Sequence, residues 1–342
     1  MLCQIKHIFK PAKTKIVRIE YLLKCEFLQS GDSILQKICY NAWVRKLFFY
    51  LFILKKIILL SIYPLFQREG KIFAIIRGNI ENYLIFQPSR LRAKRIKRGL
   101  LKKINPQRFI NSSGIKLYAW FIKPKKNMPV ILHFHGQAES ILSHQDVALY
   151  CLEKGFGLFL LSYRGHYKSG GKACEKGIYS DAQSAITQLK KLGVDEDKII
   201  LWGHSLGTGV AIETAINNNV MGVILQSPIK EIKSAAIDVY NFYGRKLNLG
   251  ILALFIKKHI ESIDFIQKFD NINKIKNIKC PILILHSKTD KISPCQNSIE
   301  LAKQNSSAQL YISENGGHWD VDWCLEKVFD FTKGLELCAN AK

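Results

Sequence analysis

Residues 199–208 read IILWGHSLGT, and this stretch decides the fold. Four apolar residues, typical of a buried strand, lead directly into the pattern Gly-x-Ser-x-Gly at Gly203, Ser205 and Gly207. A helical pattern follows, so the stretch predicts a sharp strand-to-helix turn with its serine hydroxyl pointing out of a sheet. Glycines two residues to either side remove the Cβ atoms that would collide in such a turn.

Strand and helix patterns alternate on both sides of this turn. Apolar runs typical of buried strands occupy residues 115–122, 130–134, 157–163, 198–202, 220–226, 281–286 and 309–312. Helical patterns fall at about 140–154, 178–192, 206–217, 293–304 and 320–334. This alternation predicts an α/β fold, with a mostly parallel central sheet and helices on both faces. Ligands of such folds bind at the carboxyl ends of the strands, so reactive side chains are expected in the loops there.

Two of these loops offer the partners that a nucleophilic serine needs. Asp290 follows the strand at 281–286, and His318 lies on a glycine-containing loop before the last helix. A histidine takes the proton of the serine, and a carboxylate holds the histidine in the required tautomer. The order Ser205, Asp290, His318 therefore predicts a catalytic triad. Taken singly, Asp290 also suits a turn and His318 a surface loop, and His204 and His286 are expected to pack beside the site.

An oxyanion hole is predicted beside the serine. The strand at 130–134 ends in His135 and Gly136, where such a sheet places a second backbone donor. The N–H groups of Leu206 and Gln137 are the expected donors, and each contributes about 2.7–4 kcal/mol to stabilising a tetrahedral intermediate. No metal or organic cofactor is implied.

These residues resemble the α/β-hydrolase superfamily over about residues 80–335. The resemblance is closest to its membrane-anchored hydrolase-domain proteins, similar to protein depalmitoylases, and to serine-aminopeptidase-like hydrolases. The stretches that carry it are FQP at 86–88, HFHG at 133–136, YRGHYKSGG at 163–171, GHSLG at 203–207, Asp290 within 285–294, and GH at 317–318. It implies the α/β-hydrolase fold, with a helical lid in the apolar insertion at about 229–277.

The sequence departs from that family pattern at three positions. Gln137 stands where asparagine is usual, Ser287 where a glycine follows the strand histidine, and Trp319 follows the expected catalytic histidine. The first change leaves the backbone N–H intact. The other two are expected to narrow the pocket.

Positive charge is concentrated at the amino-terminal end of the chain. The net charge is +24, and residues 1–110 hold 23 Lys and Arg against five acidic residues. Nine of these basic residues lie between Arg90 and Arg108 without an acid among them. Such a polybasic stretch favours an anionic surface. No aromatic interleaving or DNA-binding motif supports a nucleic-acid partner, and a solvated linker is the alternative.

Residues 47–66 read LFFYLFILKKIILLSIYPLF, long enough for a helix that spans a membrane. Lys55 and Lys56 lie at its centre and cost roughly 5–7 kcal/mol on an insertion scale, about as much as the apolar residues return. A tilted span, an in-plane helix, a helical hairpin and a helix packed on the soluble domain are the alternatives. The apolar run begins too far from the amino terminus for a signal peptide, and no cleavage site of small residues follows it.

The expected organisation is a basic, membrane-associated segment at residues 1–78 and an α/β-hydrolase domain at 79–342. Nine scattered cysteines without a C-x-x-C pair favour reduced thiols and hence a cytoplasmic catalytic domain. The expected function is hydrolysis of carboxylic esters or thioesters with a lipid-like acyl group. One alternative is an aminopeptidase that holds the substrate ammonium with a lid carboxylate, and another is a non-catalytic membrane-tethered binding module. The candidate carboxylates are Glu231, Asp238, Glu261, Asp264 and Asp270.

Overall fold

The computed structural model describes residues 71–87, 96–246 and 257–340. Its strands are β1 (Asn105–Ile110), β2 (Lys116–Ile122), β3 (Val130–Phe134), β4 (Gly157–Ser162), β5 (Ile199–His204), β6 (Gly222–Gln226), β7 (Ile282–Ser287) and β8 (Ala308–Ser313). They form one sheet in the order β1-β2-β4-β3-β5-β6-β7-β8. β2 runs antiparallel to β1 and β4, and all other neighbours are parallel. The predicted α/β fold class is confirmed.

Helices connect most of the strands. They are α1 (Lys71–Phe86), α2 (Arg98–Leu101), α3 (Gln145–Lys154), α4 (Glu175–Lys191), α5 (Gly207–Ile216), α6 (Ile232–Lys246), α7 (Asn271–Lys274), α8 (Gln296–Ala302) and α9 (Leu325–Asn340). Residues 257–262 are also helical. In the described part of the chain, four short 3₁₀ turns complete the connections, at Ile141–Ser143, Glu196–Lys198, Ile275–Asn277 and Asp322–Cys324. The helices expected from the periodic patterns are confirmed with shifts of a few residues at their ends.

Both faces of the sheet are covered, which explains the unbroken apolar runs. On one face Tyr150 of α3 and Val328 of α9 pack with Trp120 and Trp202 of the sheet. On the other face α5 packs against β5 and β6, and α4 packs against α5 and β4. Every residue of the central strands β3 to β7 is therefore buried.

Three elements were not predicted: β1, α1 and the four-residue helix α2 in the polybasic stretch. β1 lies at the sheet edge, where only Gln107 of its six residues is buried, so no apolar alternation marks it in the sequence. An edge strand also tolerates Pro106. α1 runs across position 78, the predicted domain boundary, and belongs to a compact unit that begins at Leu60. The domain division stays a prediction.

Several predictions fall wholly or partly on residues that the structure does not describe. The apolar segment 47–66 and the first part of the polybasic stretch lie outside the described residues, as does 247–256 of the predicted lid. Within the described ranges, no helix combines the length and hydrophobicity needed to cross a bilayer. The remainder of the lid insertion contains α6, α7 and the helical residues 257–262.

Candidate active site

Ser205 lies on the predicted sharp turn between β5 and α5. Its backbone is in the left-handed region, with φ of 52°, which is uncommon for a residue with a side chain. A Cβ on Gly203 would come within 2.5 Å of the Gly207 carbonyl oxygen, and a Cβ on Gly207 within 2.2 Å of the Phe134 carbonyl oxygen. Both glycines are therefore required by close backbone approaches, as the motif predicts.

The structure brings the three predicted triad residues together. The Ser205 hydroxyl is 3.0 Å from Nε2 of His318. Nδ1 of the same ring is 2.7 Å from Oδ2 of Asp290. All three side chains lie at the carboxyl edge of the sheet, after β5, β7 and β8, and all three are buried. The serine can donate to the imidazole while the imidazole donates to the carboxylate.

The electrostatics suit proton transfer from the serine. Burial is the largest effect on His318 and lowers its pKa, and the nearby charge of His204 lowers it further. The hydrogen bond and the charge of Asp290 raise the pKa but do not outweigh burial, so the pKa is lowered overall. His318 is therefore neutral near pH 7 and can accept a proton. Burial would raise the pKa of Asp290, but hydrogen bonds from His286 and His318 outweigh it and hold the pKa far below its usual range. Asp290 is thus ionised and can stabilise the imidazolium that forms.

The loop of Asp290 is fixed by its own backbone and by His286. Oδ1 of Asp290 accepts from the N–H groups of Ile292 at 2.8 Å and Ser293 at 2.9 Å. Nε2 of His286 is 3.3 Å from Oδ2 of Asp290, and Nδ1 of His286 is 2.6 Å from the Ser298 hydroxyl. His286, expected only to pack beside the site, therefore also contacts the acid directly.

The loop of His318 is tied to the loop of the acid. The hydroxyl of Ser287 donates to the Gly316 carbonyl at 3.1 Å, and the Thr289 hydroxyl donates to the same oxygen. Ser287 is fully buried, so it fastens the histidine loop. Trp319 is 65% exposed, and its ring stands edge-on to that of His318 at 5.3 Å between centroids.

The predicted oxyanion residues lie next to the serine. A Cβ on Gly136 would come within 3.2 Å of Ser205 Cβ, so the loop after β3 touches the serine turn. Leu206 caps the N-terminus of α5, where backbone N–H groups lack helical partners. The side chain of Gln137 donates to the Leu84 carbonyl at 2.7 Å, and the N–H of Ala138 donates to that of Phe86 at 3.2 Å. The end of α1 thus supports this loop, which the sequence did not reveal.

Glu139 is a buried residue of the site that sequence reasoning missed. Its Oε2 accepts from the Gly136 N–H at 2.6 Å and lies 2.9 Å from Nε2 of His144 and 3.1 Å from Nδ1 of His204. Ligand atoms of these two histidines and Glu139 lie within 4.8 Å of one another, which suits a metal. Within the described residues, however, these atoms already hydrogen-bond to one another, so the group does not need a metal to satisfy its polar atoms. The only signal in the sequence was the proximity of Glu139 to Gly136.

Known proteins are similar to part of this chain. A family model described as serine aminopeptidase, S33 (Hydrolase_4) matches residues 125–263. The matched region contains Ser205 and ends before Asp290 and His318. The α/β-hydrolase domain-containing protein WAV2 of Arabidopsis thaliana is 30% identical over 200 residues, which cover 54% of this chain and 61% of that protein.

Two further likenesses are to a lipase and to a solved esterase. The lysophosphatidylserine lipase ABHD12 of Danio rerio is 30% identical over 204 residues, 55% of this chain and 51% of that protein. The chain thus spans about half to three fifths of these two relatives. An esterase of Pyrococcus furiosus has a similar fold, with a TM-score of 0.58 at 18% identity over 72% of this chain and 96% of that one. With its sheet order and serine turn, the chain has the α/β-hydrolase fold, and its residues 125–263 are similar to the serine aminopeptidase family.

Proposed function

We propose that the protein is a serine esterase that hydrolyses carboxylic esters or thioesters of hydrophobic acyl groups. The observation that carries this proposal is the hydrogen-bonded chain from Ser205 through His318 to Asp290, with distances of 3.0 Å and 2.7 Å. A serine so placed is an activated nucleophile for acyl transfer.

The proposed reaction has two steps. The Ser205 oxygen attacks the acyl carbonyl while Nε2 of His318 takes its proton. The N–H groups of Leu206 and Gln137 stabilise the resulting oxyanion, and His318 then protonates the leaving alcohol or thiol. In the second step His318 takes a proton from water as the water oxygen attacks the acyl-enzyme. His318 then gives this proton to the departing Ser205 oxygen, which releases the carboxylic acid and restores the serine hydroxyl and the neutral imidazole.

A hydrophobic acyl group is proposed from the insertion between β6 and β7. Insertions at this point shape the acyl pocket in the fold family, and this one is rich in Ile, Phe and Tyr. The naming of the relative ABHD12 as a lysophosphatidylserine lipase supports the same class of substrate. We expect Phe255 and Tyr243 of this insertion to line the acyl pocket; Phe255 and the side chain of Tyr243 lie outside the described part.

The experiment is a chain-length series of p-nitrophenyl esters, from acetate to laurate, with a fluorophosphonate probe for the serine. Each buried CH₂ contributes about 0.8 kcal/mol, so kcat/KM for a medium or long ester is expected to exceed that for acetate by tenfold or more. Ser205→Ala is the control and should lose both labelling and turnover. A preference for acetate would reject the hydrophobic acyl group, and an unlabelled wild-type serine would favour a non-catalytic binding module.

A second candidate is an aminopeptidase, because the matching family model carries that description. It requires a carboxylate for the substrate ammonium. Asp238 is half-buried, and its carboxylate accepts a hydrogen bond from the Asn297 amide at 3.1 Å. The same amide donates to the hydroxyl of Ser293, which lies on the loop that carries Asp290. Asp264 is exposed and pairs with Lys268, so Asp238 is the better candidate of the two. Cleavage of aminoacyl-anilides that Asp238→Asn abolishes and Asp264→Asn leaves unchanged would establish the peptidase.

We also propose a membrane-associated protein whose catalytic domain faces the cytoplasm. The support is the apolar segment 47–66, the polybasic stretch 90–108 and the scattered cysteines. In the described part of the chain, five cysteines are free thiols.

A further inference from the structure

Beneath the serine turn lies a second histidine–carboxylate contact, between His204 and Glu139. His204 immediately precedes Ser205, and Glu139 lies on the loop that carries the predicted oxyanion donor Gln137. Both side chains are buried, with Glu139 9% and His204 2% exposed. The His204 and His318 rings are 5.2 Å apart between centroids. The contact thus adjoins the triad without being part of it.

His204 has an acceptor oxygen at each ring nitrogen. Nδ1 is 3.1 Å from Oε2 of Glu139, and Nε2 is 2.6 Å from the backbone carbonyl oxygen of His318. A neutral imidazole has one N–H and therefore satisfies one of these acceptors. Its other nitrogen would turn a lone pair toward a buried oxygen, which is costly. A doubly protonated ring donates to both.

The surroundings favour this imidazolium. Burial would lower the pKa of His204, but the charge of Glu139 and the hydrogen bonds to Glu139 and to the His318 carbonyl outweigh it, and the charge of Asp290 adds to the rise. Burial would likewise raise the pKa of Glu139, yet His204 and His144 hold it well below its usual range. The buried His133 and His135 have lowered pKa values, chiefly through burial, and are neutral.

The side of the site that reaches solvent is acidic as well. A cleft of about 130 Å³ leads to His144 and His204. Its charged lining residues are Asp146, Asp320 and Asp322, and within the described part no lysine or arginine lines it. Asp146 forms an ion pair with Lys97, so the negative charge of the cleft lining comes mainly from Asp320 and Asp322.

We propose that Glu139 and His204 form a buried charge pair that positions His318, with His204 as an imidazolium that donates both to Glu139 and to the His318 carbonyl. The two are positioning residues and not catalytic ones, because they act through the backbone and the charge environment of His318. The pair holds the histidine loop against the serine turn. This inference rests on the proposed function for its kinetic readout but not for its structural one.

The structural readout is the protonation of the His204 ring. In the full-length protein labelled with ¹⁵N-histidine, the His204 signal, identified by its loss in His204→Gln, is expected to show two protonated nitrogens at pH 7.5. Glu139→Gln removes the charge but keeps the shape, and the ring should then lose one proton at the same pH. A singly protonated His204 ring in the wild type would overturn the proposal.

The kinetic readout separates the two contacts of His204. The amide nitrogen of glutamine matches the position of Nε2 and that of asparagine matches Nδ1, so His204→Gln keeps a donor for His318 and His204→Asn does not. A misplacement of about 1 Å can cost about a hundredfold. We expect kcat for an activated ester to fall about a hundredfold in His204→Asn and about tenfold or less in His204→Gln, with KM nearly unchanged. Equal losses in the two variants would contradict the positioning role.

The pH profile tests the charge of His204, because a cation beside His318 lowers the pKa of the catalytic base. His204→Gln removes that cation, so the acid limb of kcat/KM should move to higher pH. His144→Gln is the matched control, since His144 touches Glu139 at 2.9 Å but donates nothing to His318. Its acid limb should not move, and an equal shift in both variants would count against the pair. If the wild type neither labels nor turns over ester, the proposed function fails while the protonation of His204 remains decisive.

Discussion

At the scale of single residues, the proposed proton transfer depends on three side chains from three loops. Ser205 and His318 act as one unit, because neither the nucleophile nor the base works without the other. We therefore expect Ser205→Ala and His318→Ala each to lower kcat by about 10⁴–10⁶, and Asp290→Asn by about 10⁴. Turnover of p-nitrophenyl esters measures the loss, and unchanged melting temperatures would separate chemistry from folding. Full activity in Asp290→Asn would place the acid elsewhere.

The lowered pKa of His318 predicts the pH range of activity. Burial is the main cause of the shift, and a base with a lowered pKa stays unprotonated to lower pH. The acid limb of kcat/KM should therefore lie below the ordinary histidine value of about 6.5, with full activity at neutral pH and a decline only in acid. Initial rates between pH 4 and pH 9 in buffers of constant ionic strength would test this. A half-maximal point above 6.5 would contradict it.

The sequence was sufficient for the placement of Ser205, Asp290 and His318, because each follows a recognisable strand in the order of the α/β-hydrolases. It was not sufficient for Glu139 or for the second role of His204. Their importance comes from contacts between loops that are far apart in the chain, such as His204 with the His318 carbonyl, 114 residues away. No local pattern encodes such a contact.

At the scale of elements, the junction of β5 and α5 depends on close backbone approach. A Cβ at Gly207 would meet the Phe134 carbonyl oxygen at 2.2 Å, so Gly207→Ala has to displace backbone. We expect it to destabilise the fold by about 1–3 kcal/mol or more and to reduce fluorophosphonate labelling. Urea unfolding measures the first effect.

Gly334 provides the matched control for this prediction. It lies within α9, and a Cβ there would meet nothing within 4 Å. Gly334→Ala should stabilise the protein by about 0.8–1 kcal/mol through its better helix propensity and leave labelling unchanged. Equal stability of the two alanine variants would mean that the turn has room for a side chain.

The elements that the sequence did not reveal are those whose role is tertiary. α1 is apolar on several sides, so its periodicity does not show which residues face the domain. Its buried Glu81 accepts from the N–H groups of Ile266 at 2.7 Å and Gln267 at 2.9 Å. Its last turn accepts from Gln137 and Ala138. One helix therefore joins the loop after β3 to the end of the insertion, a link visible only once the chain is folded.

At the scale of the whole molecule, the proposed triad does not explain why positive charge is concentrated in the amino-terminal third of the chain. Of the net +24, residues 1–110 carry 23 basic and five acidic side chains. Anionic lipid attracts such a segment by about 1 kcal/mol for each nearby charge. The apolar segment 47–66 adds a hydrophobic contribution that salt does not screen. The two contributions can be separated by extraction.

If segment 47–66 enters the bilayer, the full-length protein should pellet with membranes and stay there after carbonate washing. If surface charge alone held it, salt at about 1 M would release it, since the Debye length then falls to about 3 Å.

A charge variant tests the polybasic stretch separately; it changes Arg90, Arg92, Lys94 and Arg95 to Gln. This variant should bind more weakly to anionic vesicles than the wild type and should keep its resistance to carbonate washing. The control changes four exposed lysines of the hydrolase domain, Lys123, Lys126, Lys172 and Lys191, and should bind like the wild type. Recovery of the wild type in the soluble fraction at low salt would exclude both modes of attachment, while the triad would still be tested by its own variants.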